Sequence, residues 1–435
     1  MSDAKTGSGL RYAKLICVIG SETNNNNKVY IMEELPGGAE FKASWGRVEG
    51  HMSTKNYPMG QWDKIYKEKT TRTKEPYKDR TDLHIVESVS TGKKSSGNKL
   101  FRDDRPKDVV DFAKTLQKHA NASVKENYTV SVEAVSQKQV DAAQSLIDQI
   151  SGMVKLKAKT VDINDLLLDL YGVIPRKMVK VKDHLIPDAI IKTDATLQIA
   201  KDMLGKEQDT LDVMAGQVVV ASVGIDVEDT NTTAQDLLDS LGLDIAMLDS
   251  KDEKMIKAYL ARSDNHKQFV RGFRIVNKAT EKLFTDHVAK AADKKTSMLF
   301  HGSRNENWWF ITQQGLKLRP ATAVITGKMF GHGTYFADKS QKSLGYSSLN
   351  GSYFARGSSR TGLLALYDVH NGKEWDIFEG GKRHNNEHSQ LTHAKVSAKG
   401  FDSVFAKGGY DLRNNEFIVY DENQSNIKFL LEVGS

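Results

Sequence analysis

The chain has 435 residues, 39% of them hydrophobic and 27% charged, and its formal net charge is +6. One hydrophobic core rarely serves so long a chain, so we expect two to four domains of roughly 100 to 200 residues each. No run of about 18 apolar residues occurs, and the sequence MSDAKTGSG lacks the apolar core of a secretory signal. A membrane span is therefore not expected. The single cysteine, Cys17, permits neither an internal disulfide nor a zinc site built from cysteines, which favours an intracellular protein.

The basic charge is concentrated near the N-terminus. The first 120 residues contain 22 basic and 16 acidic residues, so the rest of the chain is neutral overall. The segment Lys64–Arg80 alone carries seven basic and three acidic residues, with Tyr66 and Tyr77 among them. This mixture suits a phosphate backbone. A solvated charged surface would have the same composition.

Sheet patterns dominate the first block, which runs from about Leu10 to Leu83. The segments AKLICVIG, NKVYIMEE and FKASWGRVE are rich in apolar residues at alternating positions and are separated by an asparagine run and by Pro36-Gly37-Gly38. They predict β-strands joined by turns. A short helix is predicted after Pro58, where apolar and aromatic residues recur at helical spacing: Met59, Trp62, Ile65 and Tyr66.

The middle block is predicted to be all-helical. A linker rich in serine, glycine and lysine, STGKKSSGNKL, precedes it, and Pro106 opens it. Ser136 and Gln139 have the spacing of a capping box, followed by apolar residues at helical intervals. NDLLLDLYGVIP and LQIAKDMLG repeat that pattern. The block contains no motif that indicates chemistry.

The third block starts near His266 and is rich in glycine and in strand patterns up to Val433. It contains LFHGSR, then VITGKMFGHGTYFADKSQKSLGYS, and finally NNEFIVYD. These segments supply a histidine and a glycine at a strand end, two tyrosines around a glycine-rich loop, and a glutamate at the start of an apolar strand: His301, Gly302, Tyr335, Tyr346 and Glu416.

Two other motifs in this block argue for different chemistry and fail. HNNEH, at residues 384–388, matches an inverted zinc-protease pattern, but that motif needs a helix, and here it is flanked by Gly380-Gly381 and contains two asparagines. Gly331-His332-Gly333 begins like a dinucleotide fingerprint, yet Phe336 stands where the third glycine belongs. Neither a metal nor a Rossmann-type cofactor is therefore expected.

The three C-terminal segments resemble the DNA-damage-dependent poly(ADP-ribose) polymerases. The likeness extends to the triplet Trp45-Gly46-Arg47 and to the helical segments SQKQVDAAQSLIDQI and LYGVIP. It implies a multidomain α+β protein. A WGR DNA-binding domain, a β-sheet plus a helix, would occupy residues 1–89, a linker 90–105, an all-α regulatory domain 106–250, and a mixed, β-rich ADP-ribosyltransferase domain 251–435.

The resemblance implies that NAD⁺ is the substrate and that no metal takes part. Cleavage of the bond between ribose and nicotinamide gives an oxocarbenium-like ribose, which a carboxylate stabilises. Glu416 would be that catalytic carboxylate and would also polarise the acceptor hydroxyl. An exposed surface charge is the ordinary fate of a glutamate, and the match of NNEFIVYD to the family favours the catalytic role.

The remaining NAD⁺ contacts follow the same resemblance. His301 would bind the adenine ribose, the backbone of Gly302 the nicotinamide carboxamide, and Ser303 the adenosine. Tyr335 and Tyr346 would sandwich the cationic nicotinamide ring, for which stacking and cation–π attraction act together. Ser343 would bind the carboxamide oxygen. Lys317 stands where the family has an arginine, and Arg319 is the predicted substitute.

The resemblance also implies that Asn27, Trp45 and Arg47 bind DNA, with strand breaks as the partner, through aromatic stacking and phosphate neutralisation. We expect DNA to activate transfer of ADP-ribose to proteins, the enzyme itself included, and elongation of the attached chains. A mono-ADP-ribosyltransferase of the same fold and a catalytically weak DNA-end-binding scaffold are the alternatives. The expected location is nuclear in a eukaryote and cytoplasmic or nucleoid in a bacterium or phage, and the sequence leaves the oligomeric state open.

Overall fold

A computed structural model of the chain describes residues 9–20, 25–48, 50–84, 101–130, 135–187, 194–222, 236–318, 329–409 and 411–434. The fold is mixed α+β, as predicted. The chain forms two compact units. The first contains the described residues of 1–98 and 123–222, and the second contains those of 99–122, 223–321 and 327–435.

An antiparallel five-stranded sheet opens the first unit. Its strands are β1 (Tyr12–Gly20), β2 (Asn25–Glu34), β3 (Glu40–Arg47), β4 (Ser53–Pro58) and β5 (Lys78–Asp79), in the order β4-β3-β2-β1-β5. The three strands read from the sequence are confirmed, and β2 also takes in the end of the asparagine run. Helix α1 (Trp62–Thr71) confirms the helix predicted after Pro58, and its fully buried Trp62 packs with Phe41 in the core of this sheet.

Helices make up the rest of the first unit: α2 (Thr81–His84), α4 (Gln137–Lys155), α5 (Thr160–Val173) and α6 (Asp194–Ser222). The predicted capping box is confirmed, because the Ser136 hydroxyl accepts from the Gln139 amide at 3.3 Å and the Gln139 side chain accepts from the Ser136 amide at 3.0 Å. The predicted linker lies mostly outside the described residues. Among the described residues no helix has the length and apolarity needed to cross a membrane.

The second unit is built on two sheets. Its helices are α7 (Leu237–Ser240), α8 (Ser250–Ala261), α9 (Lys278–Lys290), α10 (Trp308–Gln314), α11 (Ser340–Leu344) and α12 (His393–Ala398). Its strands are β6 (Leu243–Met247), β7 (Phe269–Asn277), β8 (Thr296–Gly302), β9 (Thr334–Phe336), β10 (Thr361–His370), β11 (Glu374–Asp376), β12 (Ser403–Ala406), β13 (Glu416–Val419) and β14 (Ser425–Gly434). The orders are β6-β7-β14-β10-β8 and β11-β12-β13-β9.

Three elements of the second unit fall inside the range predicted as helical: the short helix α7, strand β6, and most of the helix Lys107–Asn127. β6 is an edge strand that pairs antiparallel with β7. Its Leu243 and Ile245, two residues apart, both lie on the buried face, which is the spacing of a β-strand. Helix α3 (Lys107–Asn127) contributes its residues up to 122 to this unit. There Phe112 stacks on Phe273 of β7 with ring centroids 3.8 Å apart, and both rings are fully buried. The sheet of the third block thus begins before residue 251.

Candidate active site

Three strands bring the predicted site segments together. Phe300, just before His301 in β8, exchanges backbone hydrogen bonds with Ala337 at 2.7 and 3.0 Å. Ala337 follows β9, and β9 pairs with β13 so that Tyr335 faces Ile418. Neighbouring strand ends therefore carry the histidine, the first tyrosine and the glutamate.

Glu416 is buried at the start of β13 and is paired with a lysine. Its side chain lies 2.5 Å from Nζ of Lys342, and the glutamate is 6% exposed. The preceding residue fixes the strand start, since Asn415 donates to Asp338 at 2.8 Å and accepts from the Gly408 amide at 2.8 Å. A buried carboxylate requires a partner of opposite charge, which Lys342 of α11 supplies.

Lys342 is a site residue that the sequence reasoning missed. It stands next to Ser343 in SQKSLGYS, yet a lysine in a chain with 62 basic residues gives no signal of its own. Its side chain is 17% exposed, which is low for a lysine and leaves the ammonium group partly shielded beside Glu416. Only the three-dimensional proximity of α11 to β13 identifies it.

His301 is held in one orientation by β9. Its Nδ1 lies 3.0 Å from the Tyr335 carbonyl oxygen. A carbonyl only accepts, so Nδ1 carries the proton, and in the neutral ring Nε2 is an acceptor. Three aromatic rings surround the imidazole with centroids 5.6 to 6.3 Å away: Trp308, Phe336 and Tyr367.

Gly302 allows a close approach of two backbones. A Cβ at this position would lie 1.8 Å from the Ser343 carbonyl oxygen, so any side chain would force β8 and α11 apart. The Ser343 side chain is buried and donates to the Phe300 carbonyl at 3.1 Å. Ser303 accepts from the Asn307 amide at 2.9 Å. The three residues thus lie together around the end of β8.

Tyr335 and Tyr346 both lie within the electrostatic reach of Glu416. The Tyr335 hydroxyl accepts from the Phe330 amide and donates to the Gly331 carbonyl, both at 3.0 Å, which closes the glycine-rich turn. Burial, with a contribution from Glu416, raises the pKa of Tyr335 far above its usual value. Partial burial and the Glu416 carboxylate raise the pKa of Tyr346 to about 12. Both phenols therefore stay protonated at neutral pH.

A further aromatic residue stacks on Tyr346. The ring of Phe354 lies 4.4 Å from that of Tyr346, with 14° between the planes. The nicotinamide sandwich predicted from Tyr335 and Tyr346 therefore has a third ring beside it. Phe354 lies in the loop between α11 and β10, where the sequence patterns indicated nothing.

Three further features of this block were singled out in the sequence: Arg319, Lys317 and the motif HNNEH. Arg319 lies outside the described residues. Lys317 pairs with Glu422 at 3.0 Å on the surface. In HNNEH, Nε2 of His384 lies 2.8 Å from the Met329 carbonyl oxygen, so this ring serves a local contact. The described part of the chain contains no cluster of three or more His, Cys, Asp or Glu side chains that could hold a metal ion.

The predicted DNA-binding residues lie in different environments in the first unit. Arg47 is exposed, whereas Trp45 is half-buried and stacks on Tyr30 at 5.8 Å. Asn27 is 5% exposed, and its side-chain amide donates to the Arg176 carbonyl at 3.3 Å. Gly46 is required by packing, since a Cβ there would lie 2.5 Å from the His51 carbonyl oxygen.

Part of the basic segment Lys64–Arg80 is neutralised inside the same unit. Lys78 and Arg80 both pair with Asp169 of α5, at 2.5 and 2.8 Å. Arg72 lies 3.6 Å from Glu75, which also pairs with a lysine of β2. These side chains join the sheet to the helices, so the net charge of the segment overstates what is open to a ligand.

Comparison with known proteins finds a family match within the second unit. The family described as "Poly(ADP-ribose) polymerase catalytic domain" matches residues 250–435. The poly(ADP-ribose) polymerase-like protein 100L of Invertebrate iridescent virus 6 is 36% identical over 155 residues, which is 35% of this chain and 79% of the viral protein. Human poly(ADP-ribose) polymerase 2 is 35% identical over 157 residues, which is 31% of this chain and 26% of the human one.

The match to a plant relative is longer and weaker. Poly(ADP-ribose) polymerase 2 of Arabidopsis thaliana is 22% identical over an alignment of 471 positions, which covers 94% of this chain and 71% of the plant protein. The catalytic domain of this family uses NAD⁺ as its substrate and transfers ADP-ribose. The strand ends that carry His301, Tyr335 and Glu416 all lie within the matched residues. The chain therefore belongs to the poly(ADP-ribose) polymerase family.

Proposed function

We propose that this chain is a DNA-break-activated enzyme that transfers ADP-ribose from NAD⁺ to protein acceptors, itself included, and elongates the attached chains. The observation that carries the proposal is the buried Glu416 beside Lys342, on strand ends shared with His301 and Tyr335. A carboxylate at a sheltered site, beside the bond that breaks, is what an oxocarbenium-like transition state requires.

The transfer step is a displacement at C1′ of the nicotinamide ribose. The bond from C1′ to the nicotinamide nitrogen breaks, and nicotinamide leaves as a neutral molecule with the electron pair. The acceptor hydroxyl oxygen forms the new bond to C1′ and gives its proton to Glu416, which passes it to solvent. The negative charge of Glu416 stabilises the positive charge that builds up on the ribose.

The other side chains orient NAD⁺. His301, with Nδ1 held by the Tyr335 carbonyl, presents Nε2 as an acceptor for a hydroxyl of the adenine ribose. Gly302 offers its backbone to the carboxamide, Ser303 contacts the adenosine, and Ser343 reaches the carboxamide when its hydroxyl turns from the Phe300 carbonyl. Tyr335 and Tyr346 enclose the nicotinamide ring. Lys342 contacts Glu416 and fixes the position of the carboxylate.

The first unit supplies DNA binding in this proposal. Residues 1–89 would form the WGR domain, with Arg47 as its exposed cation and Trp45 beside it. DNA can raise activity only if it binds differently to a restrained and a released state of the enzyme. The proposed restraint is the helical domain predicted at residues 106–250, of which helices α4, α5 and α6 lie in the first unit.

One assay tests the function directly. The chain is incubated with labelled NAD⁺, with and without nicked or blunt-ended DNA, and the protein is separated on a denaturing gel. We expect a ladder of labelled protein that becomes much stronger with broken DNA. A single labelled band would identify a mono-ADP-ribosyltransferase. No label under either condition would leave a DNA-binding scaffold as the better account.

A further inference from the structure

Beside the catalytic glutamate lies a group of aromatic side chains that the NAD⁺ contacts do not use. Tyr353 meets Phe354 edge to face at 5.0 Å, and Phe354 in turn stacks on Tyr346. Tyr353 is 82% exposed and Phe354 is 49% exposed. Large rings left open to water in this way indicate a surface for a planar ligand.

The loop that carries these rings is held by backbone hydrogen bonds. The amides of Phe354 and Ala355 both donate to the Gly345 carbonyl, at 2.9 and 3.0 Å. The Gly357 amide donates to the Ser352 hydroxyl at 2.7 Å, and the Ala355 side chain is buried. Because the loop is already held in place, its rings lose little conformational freedom when a ligand stacks on them, which favours binding.

The segment of sequence that carries the rings is basic. Between Asp338 and Asp368 the chain has four basic residues and no acidic one: Lys339, Lys342, Arg356 and Arg360. Nζ of Lys342 lies 5.5 Å from the centre of the Phe354 ring and 2.5 Å from Glu416. The same lysine thus lies against both the aromatic group and the catalytic carboxylate. Proteins usually bind strands of nucleotides by stacking the bases on aromatic rings while nearby cations contact the phosphates.

We propose that Tyr353 and Phe354 form the stacking platform for the adenine of the acceptor, the ADP-ribose unit at the end of a growing chain. This inference rests on the proposed elongation. NAD⁺ is already accounted for by Tyr335, Tyr346 and His301, so the platform serves the second nucleotide. Its pyrophosphate meets the basic residues, and its ribose hydroxyl oxygen attacks C1′ of the donor while nicotinamide leaves and Glu416 takes the proton.

A terminal ADP-ribose fits this platform better than a nucleic-acid strand does. The acceptor must bring a ribose hydroxyl to Glu416 while its base and its phosphates stay nearby. An ADP-ribose unit carries adenine, pyrophosphate and ribose hydroxyls within one short molecule, and the proposed reaction leaves one on the protein after each turnover.

The first measurement is chain length. Tyr353→Ala and Phe354→Ala should shorten the products by roughly tenfold, in line with the loss of one stacked base, while Phe354→Trp, which keeps a stacking ring, should restore them. For Tyr353→Ala, whose ring contacts Phe354 and not Tyr346, the KM for NAD⁺, measured from nicotinamide release with water as acceptor, should stay unchanged. Leu283→Ala, an exposed apolar residue on α9, is the matched control and should have no effect. Tyr353 is so exposed that its removal leaves the core intact.

The second measurement is binding. A peptide carrying one ADP-ribose unit is titrated against Glu416→Gln protein saturated with NAD⁺, with and without Tyr353→Ala. We expect affinity to fall roughly tenfold for this peptide only, with no change for the unmodified peptide or for single-stranded DNA. Equal affinity of both proteins for the modified peptide would overturn the platform, as would a larger loss for DNA. A wild type that binds the modified peptide but makes no polymer would overturn the proposed elongation and leave the platform standing.

Discussion

Among the described residues, two buried glutamates are paired with a cation, one in each unit. Glu207 pairs with Arg176 at 3.2 Å, with exposed side-chain fractions of 8% and 5%. The Arg176 guanidinium also lies over the Tyr128 ring at 4.7 Å. Glu416 pairs with Lys342 at 2.5 Å, next to exposed aromatic rings and a glycine-rich turn. Burial of a carboxylate is common to both, and the neighbouring residues distinguish them.

The two ion pairs differ in how far a substrate can reach them. Arg176 and Glu207 are enclosed by side chains of the first unit such as Tyr128, Leu170 and Leu211. Burial raises the pKa of Glu207 against the influence of Arg176. Around Glu416, Lys342 keeps partial exposure, so a substrate could reach the pair from that side. A buried ion pair becomes a candidate site only where one partner borders open surface.

The same substitution, glutamate to glutamine, should lower activity at one position and stability at the other. Glu416→Gln keeps size and hydrogen bonding but removes the charge that opposes the oxocarbenium. We expect chain elongation to fall on the order of a hundredfold or more while NAD⁺ binding changes little. The measurement is polymer yield against time with labelled NAD⁺, together with the affinity for NAD⁺.

Glu207→Gln is the matched control. It leaves Arg176 buried without its partner, which should lower the free energy of unfolding of the first unit by about 3 kcal/mol, with activity per folded molecule retained. Undiminished polymer from the Glu416 variant would show that this carboxylate is not catalytic, whatever Glu207→Gln does.

Lys342 tests how much of the catalytic effect depends on positioning. Lys342→Met keeps the length of the side chain and removes its charge, so Glu416 loses its anchor. We expect kcat to fall roughly tenfold with a smaller change in the KM for NAD⁺. Lys342→Arg should recover most of the rate because it restores the ion pair. If Lys342→Met changes only the KM, the lysine belongs to the binding of NAD⁺ and not to the placement of the carboxylate.

Local pattern identified elements whose signal lies within a few residues and missed features that depend on residues distant in the chain. The period of two identified β1 to β3, and the serine with glutamine three residues on identified the start of α4, because both signals lie within a few residues. The Glu416–Lys342 pair, the Phe112–Phe273 stack and the assignment of β6 to a sheet depend on residues distant in the chain. No periodicity records such pairings.

The helical restraint predicts a gain of activity. Deleting residues 135–222 removes α4, α5 and α6 and keeps both Phe112 and β6 with the catalytic sheet. A deletion extended to Met247 would strip an edge strand from that sheet. We expect activity without DNA to rise on the order of tenfold, which is typical of the coupling between two sites. The measurement is labelled polymer formed in the absence of DNA.

Hydrogen exchange on the intact protein checks the same idea without a deletion. Amides of α4 to α6 should exchange faster when broken DNA is added, because binding would release the restraint. A folded deletion variant that stays silent without DNA, together with unchanged exchange, would show that these helices support the active fold and do not restrain it.

The smallest expected effect separates the predicted DNA-binding residues. Arg47 is exposed and can neutralise a phosphate, so Arg47→Ala should weaken binding to DNA ends by about fivefold and lower the salt dependence by about one unit of slope. Asn27 is buried and bonded to the Arg176 carbonyl, so Asn27→Ala should lower the free energy of unfolding by about 1 kcal/mol with an unchanged salt slope. Fluorescence anisotropy at several salt concentrations measures the affinity, and thermal unfolding measures the stability. A DNA affinity that falls more for Asn27→Ala than for Arg47→Ala would mean that the face of β2 near Arg176 opens when DNA binds.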